Sequence, residues 1–206
     1  YNNVEGWQNM QFWGRSEFAL EFGNYDVSIT TPMDHILNGT GVVQNPKDVF
    51  SNKQYKRYIE ANTSYDNPVF IVTPEEALEA EKGRSDKTKT WKMYAENVRD
   101  FAFASSRKLI WDAMAIKLSD KTVMAYSLYP NEGNPLWEEH STRVVANTLK
   151  VYSEHTFDYP YPQATSINAK QQGMEYPMIC WNGGRPNTDG KYTERAKKGM
   201  IGVVTH

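Results

Sequence analysis

Period-two alternation of apolar and polar side chains dominates the first half of the chain. Phe18, Leu20 and Phe22 alternate with polar or small neighbours, Gly23 and Asn24 read as a turn, and Tyr25, Val27 and Ile29 resume the alternation until Pro32 stops it. Asn38-Gly39 is a second turn signal ahead of Val42 and Val43, and Asn45-Pro46 ends that short apolar stretch. Residues 47–67 are polar and tyrosine-rich, which predicts a loop with one helical turn around residues 54–60. Val69–Val72 is a compact apolar run suited to a buried strand. Trp91, Met93 and Ala95 alternate again, as do Phe101 and Phe103, about a turn expected at residues 96–99. A domain boundary is placed near residue 98. Residues 113–118 and 123–129 then form the arms of a hairpin around Ser119, Asp120 and Lys121.

Two stretches carry helix signals of their own. Thr73 caps a short helix, Pro74 fits its first turn, Glu76 completes a reciprocal capping box, and Gly83 ends it. The charge run at residues 84–89 reads as a solvated loop. The longest helical pattern starts with Asn134 as the expected cap and Pro135 in the first position, with Glu138 and Glu139 near the positive helix start. Trp137, Val144, Val145, Thr148, Leu149 and Tyr152 follow at helical spacing. His140 and His155 lie on it fifteen residues apart, too far along the axis to share a metal, and read as surface or capping residues. Two Tyr-Pro pairs then break the helix.

Residues 165–169 are expected to enter a strand that continues to Glu175, and residues 182–190 are dense in turn formers and predict a surface loop. Ala196, Met200, Val203 and Val204 share one face of a final helix. Gly199 and Gly202 weaken that helix enough to predict that residues 192–206 are either frayed or held by contacts other than a zinc site, and a strand at residues 200–205 is the alternative.

Composition narrows the function classes. With 206 residues, 39% hydrophobic and 23% charged, the chain has the makings of one or two globular domains. Aromatic residues at 13% favour β-structure and binding surfaces. A formal net charge of −2 leaves no electrostatic footprint for nucleic acid, and no apolar run approaches a membrane span. Cys180 is the single cysteine, so no internal disulfide forms and the redox compartment stays open. The chain opens at Tyr1 without a signal-like segment and ends inside an apolar run. Both ends read as cuts, which leaves secretion open.

The candidate chemistry lies at residues 171–179, Gln-Gln-Gly-Met-Glu-Tyr-Pro-Met-Ile. Glu175 is the only acid between Asp158 and Asp189. A carboxylate on a rigid strand holds an α-ammonium group through a charge-assisted hydrogen bond. Gly173, lacking a Cβ, would permit close approach of another backbone, and Pro177 would end regular pairing. A short edge strand of this kind pairs with an extended peptide. Taken alone, such a run is more often an ordinary solvent-facing glutamate between a glycine and a proline. What shifts the balance is Val203-Val204-Thr205-His206 downstream.

A Gly-Met-Glu-Tyr-Pro run followed about thirty residues later by an apolar segment ending in His resembles the aminopeptidase N family of zinc peptidases, the gluzincins. Phe-Ala-Phe-Ala at residues 101–104 and Tyr-Pro-Tyr-Pro after the long helix extend the resemblance over nearly the whole chain. It implies an α+β fold. Residues 1–98 would be the end of an N-terminal, saddle-like antiparallel β-domain. Residues 99–206 would be the opening mixed sheet and helices of a truncated thermolysin-like catalytic domain. By the same resemblance Glu175 would bind the substrate's α-amine, with Gly173 and Met174 offering backbone groups along the substrate. His206 would be the first zinc ligand of an H-E-x-x-H motif completed by later residues. Tyr176 stands where many relatives have Asn, and a phenol cannot reproduce an amide's paired donor and acceptor.

The implied cofactor is zinc and the implied substrates are peptides with a free amino terminus. The bacterial relatives suggest export to the periplasm or beyond. Two other readings compete. One is a catalytically inert relative serving as a protein-interaction module. The other, a β-rich carbohydrate-binding domain, explains the aromatics but neither the Gly-Met-Glu-Tyr-Pro run nor the terminal His.

Overall fold

The computed structural model describes residues 20–206 together with residues 3, 4, 6, 7 and 14; the strand position expected at Phe18 lies outside them. Along the chain run β1 (Gly23–Pro32), β2 (Ile36–Gly39), β3 (Val42–Val43), α1 (Pro46–Val49), α2 (Asn52–Ala61), β4 (Val69–Val72) and α3 (Pro74–Glu81). Then come β5 (Thr88–Val98), β6 (Phe103–Ser106), β7 (Ile110–Leu118), β8 (Lys121–Tyr129) and α4 (Leu136–His155). The last elements are β9 (Gln163–Asn168), β10 (Met174–Tyr176), β11 (Ile179–Asn182) and α5 (Glu194–Thr205).

The strands form a three-stranded sheet β1-β5-β3, a two-stranded sheet β2-β6, and a six-stranded sheet in the order β10-β11-β9-β8-β7-β4. The large sheet is mixed: β9 runs parallel to both β8 and β11, and the remaining pairings are antiparallel. The crossover from β8 to β9 is α4, as a parallel connection requires. On β7, Trp111, Ala113 and Ala115 point into a core shared with Leu37, Trp91 and Met93 of the small sheets. The alternate residues Met114 and Ile116 meet Val145, Ala146 and Leu149 of α4. The large sheet therefore lies between a β-rich layer and a helical layer. β4, N-terminal to residue 98, is its outer strand against β7.

Local signals with a complete side-chain logic survive intact. Thr73 and Glu76 form the expected reciprocal cap of α3. Ser51 and Gln54 form a second such box, which explains why α2 spans ten residues where only a single helical turn was expected. Asn134 does not cap α4; Pro135 takes that position without a side-chain cap, and the Asn134 amide donates to Glu138 at 2.9 Å.

Three expected turns are strand instead. Gly23 and Asn24 open β1, and the register between β1 and β5 shifts there, from Gly23 opposite Val98 to Tyr25 opposite Ala95. Asn97 supplies the extra residue in a left-handed conformation, φ 51°, and its N–H donates to the Asn24 side chain at 3.0 Å. The turn expected at residues 96–99 is thus a bulge inside β5. Leu20 and Phe22 precede β1 in no regular strand and are exposed. Asn38-Gly39 lies within β2. A Cβ at Gly39 would come within 2.6 Å of the Ala102 carbonyl, so this glycine serves close backbone approach rather than reversal. The reversal falls two residues later at Gly41, φ +89°.

One ionisable group is enclosed where helix meets sheet. Asp112 on β7 accepts hydrogen bonds from the Tyr129 hydroxyl at 3.0 Å and from the Thr142 hydroxyl of α4, and is 1% exposed. Burial pushes its carboxyl up to about 7, against the pull of those two donors, with the charge of Glu138 adding to the rise. The folded state therefore keeps a proton that the unfolded chain releases near the ordinary carboxylate value of about 4. Stability is fully present below that value and falls as pH rises through about 7. We expect the urea midpoint of the wild-type chain to drop between pH 5 and pH 8, and Asp112→Asn to flatten the drop. Parallel pH profiles for the two proteins would show that Asp112 is not the group responsible.

Candidate functional site

Glu175 sits in the middle of β10, a strand of three residues at the end of the large sheet. The strand expected to run from residue 165 through Glu175 is two strands on opposite sides of β11. β9 is parallel and internal; β10 is antiparallel and at the edge, with Glu175 opposite Cys180. Gly173 makes the separation possible by adopting φ +73°, and its N–H donates to the Trp181 carbonyl at 2.9 Å. A Cβ there would meet nothing within 4 Å, so the glycine is required for its left-handed backbone and not for close approach.

Pro177 ends the pairing of β10, as expected, and the chain returns through Met178 at φ 66°. This tip is anchored in the β-rich layer. Met178 is 3% exposed and packs with Ala95 and Val98 of β5, while the Thr40 hydroxyl donates to the Pro177 carbonyl at 2.9 Å. Tyr176 turns its ring edge-on to Trp181, centroids 5.6 Å apart. Met174 and Glu175 are exposed.

His206 follows α5, and its backbone N–H donates to the Gly202 carbonyl at 3.1 Å. Of the two expected outcomes, fraying or contacts other than a zinc site, the structure has the second: an unbroken helix of twelve residues, started by the Thr193 side chain accepting from the Ala196 N–H. Tertiary packing overrides the two glycines. Met200 is fully buried beside Leu136 and Trp137, and Ile201 and Val204 pack on the same clusters. The buried face differs by one position from the one read off the spacing, because Val203 is 45% exposed.

The two candidate residues converge. His206 Nε2 lies 3.1 Å from Glu175 Oε1, with both side chains open to solvent. A protonated imidazole would pair with the carboxylate there. A nitrogen that holds a proton for that contact has no lone pair for a metal, so ligation through Nε2 requires the contact to be given up. Beside the pair lies an apolar groove of about 470 Å³ lined by Leu149, Tyr152, Tyr159, Tyr176, Met178 and Val204. Cys180 also reaches it, but burial, aided by the nearby charge of Glu175, pushes its thiol up and away from reactivity.

No group of three or more His, Cys, Asp or Glu among the described residues is placed to hold a metal. A zinc site takes at least three protein ligands, so the described residues by themselves do not fit the ion. The other three histidines are engaged elsewhere, His35 Nδ1 lying 3.0 Å from the Ser105 hydroxyl. His155 Nδ1 lies 2.8 Å from the Val151 carbonyl, and His140 Nε2 lies 3.1 Å from the Tyr192 hydroxyl, which donates to Glu139.

Sequence reasoning missed one feature, the turn after β11. Gly184, at φ +98°, presents its carbonyl to the Trp137 indole N–H at 2.6 Å and to the Asn168 side-chain amide at 3.2 Å. The Gly-Gly pair was legible only as a surface turn. Its burial partners, Trp137 and Asn168, lie 47 and 16 residues away from Gly184.

No protein-family model matches the chain, and no curated protein matches it. Solved structures do. A two-domain M1 zinc metallopeptidase, a point mutant bound to L-arginine, is 14% identical with a TM-score of 0.52, covering 90% of this chain and 34% of that one. An M1 zinc metallopeptidase from Deinococcus radiodurans is 13% identical with a TM-score of 0.51, covering 87% and 33%. A mutant of the enzyme from the same organism also scores 0.51 at 13% identity, covering 89% and 33%. This chain spans about a third of the length of these structures. At such identities the likeness is one of architecture, and the mixed sheet with its flanking helices has the fold found in M1 zinc metallopeptidases.

Proposed function

We propose that this chain is part of a zinc-dependent aminopeptidase that hydrolyses the amino-terminal peptide bond of peptides. In this reading Glu175 binds the substrate's α-ammonium and His206 is the first zinc ligand. The observation that carries it is the convergence of these residues, 31 apart in sequence, to 3.1 Å at an open sheet edge. A carboxylate on an edge strand beside exposed backbone groups suits an extended peptide entering amino end first. Gly173 and Met174 lie along that edge, on the amino-terminal side of Glu175. The likeness to M1 zinc metallopeptidases, one of them solved with L-arginine bound, supports the same reading.

His206 is the one residue of this chain that would hold the zinc, and the ion, if held with further ligands, would supply Lewis-acid activation of a water. In this reading residues 1–98 would belong to the end of an N-terminal β-domain and residues 99–206 to the start of the catalytic domain; β4, which pairs with β7, crosses that expected boundary. The competing reading is an inert relative used as an interaction module. It draws support from Tyr176, which packs on Trp181 where many members of the family it resembles carry an amide side chain. The residues after His206 discriminate the two, since a complete H-E-x-x-H belongs to the enzyme.

Two outcomes follow. The 206-residue chain, dialysed after zinc loading, should retain substoichiometric metal and cleave no peptide, because a single ligand does not make a site. One tightly held zinc per chain would show the ligand assignment to be incomplete. In the parent polypeptide, Glu175→Ala should lower kcat/KM on free-amine substrates ten- to a hundredfold, from a lost charge-assisted bond of about 1.5–3 kcal/mol. Zinc content should be unchanged. An equal loss on amino-blocked peptides would instead mark Glu175 as structural.

A further inference from the structure

Glu175 and His206 belong to two elements, β10 and α5, that both contact β11. β10 pairs with β11 alone, and α5 packs on α4 and β11. We propose that the turn at Gly183 and Gly184, clamped by Trp137 and Asn168, is a positioning device that sets the spacing between the Glu175 carboxylate and the His206 imidazole. This rests on the aminopeptidase reading of those two residues.

The clamp is buried and directional. The Trp137 indole, fully buried, donates to the Gly184 carbonyl at 2.6 Å, and Asn168, 3% exposed, donates to the same carbonyl at 3.2 Å. Asn168 is held in turn by Arg185, whose Nε donates to its Oδ1 at 2.8 Å. A buried indole N–H or amide left without a partner is costly, so these donors pin the carbonyl. Asn182, the last residue of β11, donates from its amide to Ser166 Oγ at 2.9 Å and ties the approach to the turn as well.

Each glycine touches one arm of the site. A Cβ on Gly184 would come within 2.8 Å of the Met200 Cβ, so α5 rests directly on the turn. Met200 precedes His206 by six residues, about 9 Å along a helix. A Cβ on Gly183 would lie 1.9 Å from the Gln172 side-chain oxygen, so the residue leading into β10 lies across the other glycine. One pinned turn therefore contacts both arms close to the groups they present. A displacement of about 1 Å at a reacting centre is enough to cost much of a rate.

The test uses the parent polypeptide with Trp137→Phe, which keeps a buried aromatic ring and removes the donor, alone and combined with Glu175→Ala. The expected result is a fall of about tenfold in kcat/KM on a free-amine dipeptide at unchanged zinc content. In the Glu175→Ala background the same substitution should change little, since the geometry it disturbs no longer matters. Equal losses in both backgrounds would mean that Trp137 acts only on general stability, and would overturn the proposal. A second measurement needs no activity. In the 206-residue chain, Trp137→Phe should shift the NMR signals of Glu175 and His206 while leaving Asp26 on β1 in place. Shifts confined to the turn would overturn the proposal even if the enzyme is active. An inactive wild-type parent alongside the expected shifts would defeat the aminopeptidase reading and leave the positioning device standing.

Discussion

Burial of β7 and β8 on both faces is the constraint from which the rest of the architecture follows. Every residue from Val123 onward in β8 is buried, and β7 is buried along all but one of its positions. A hairpin of this kind cannot stand with one face in water, so it needs a layer on each side. Trp91, Met93 and Leu37 supply one layer, and α4 with α5 supplies the other. Some polar groups inside this sandwich have partners: Ser127 donates to Ser141 at 2.7 Å, and Asp112 is met by two hydroxyls, whereas the indole N–H groups of Trp91 and Trp111 have none among the described residues. The candidate site is left to the rim, where the sheet ends at β10 and the helical layer ends at His206.

How much of this was legible in the sequence depended on how local the cause was. Thr73, Pro74 and Glu76 specify a helix start through bonds that span three residues, and the helix begins there. The 110–129 hairpin was readable because its apolar content persists through both arms. Asn38-Gly39 and residues 23–24 and 96–99 misled for a common reason. Bulges and close backbone approaches select the same Asn and Gly residues as turns do. Only the strand pairing, 60 residues or more away in sequence, separates the cases.

The candidate residues are nominated by resemblance, and their juxtaposition could not be read from the sequence. Glu175 stood out as an isolated acid, and His206 through the apolar run ahead of it. Nothing local could place them together, because their separation is set by the packing of Met200, the fold of the chain at Gly184 and the edge position of β10. Gly173 shows the limit from the other side. Close backbone approach is what the sequence suggests there, and the structure instead has a left-handed backbone with nothing within 4 Å of where a Cβ would sit.

Met178 gives the site one more property. Its side chain is sunk among Ala95 and Val98 of the small sheet, so the hairpin tip beside Glu175 belongs mechanically to the β-rich layer. His206 belongs to the helical layer through Met200 and Val204. The carboxylate and the imidazole thus take their coordinates from opposite sides of the central sheet. A few ångströms between their tips record how the two outer layers are seated on it, which makes the pair a gauge of the whole sandwich.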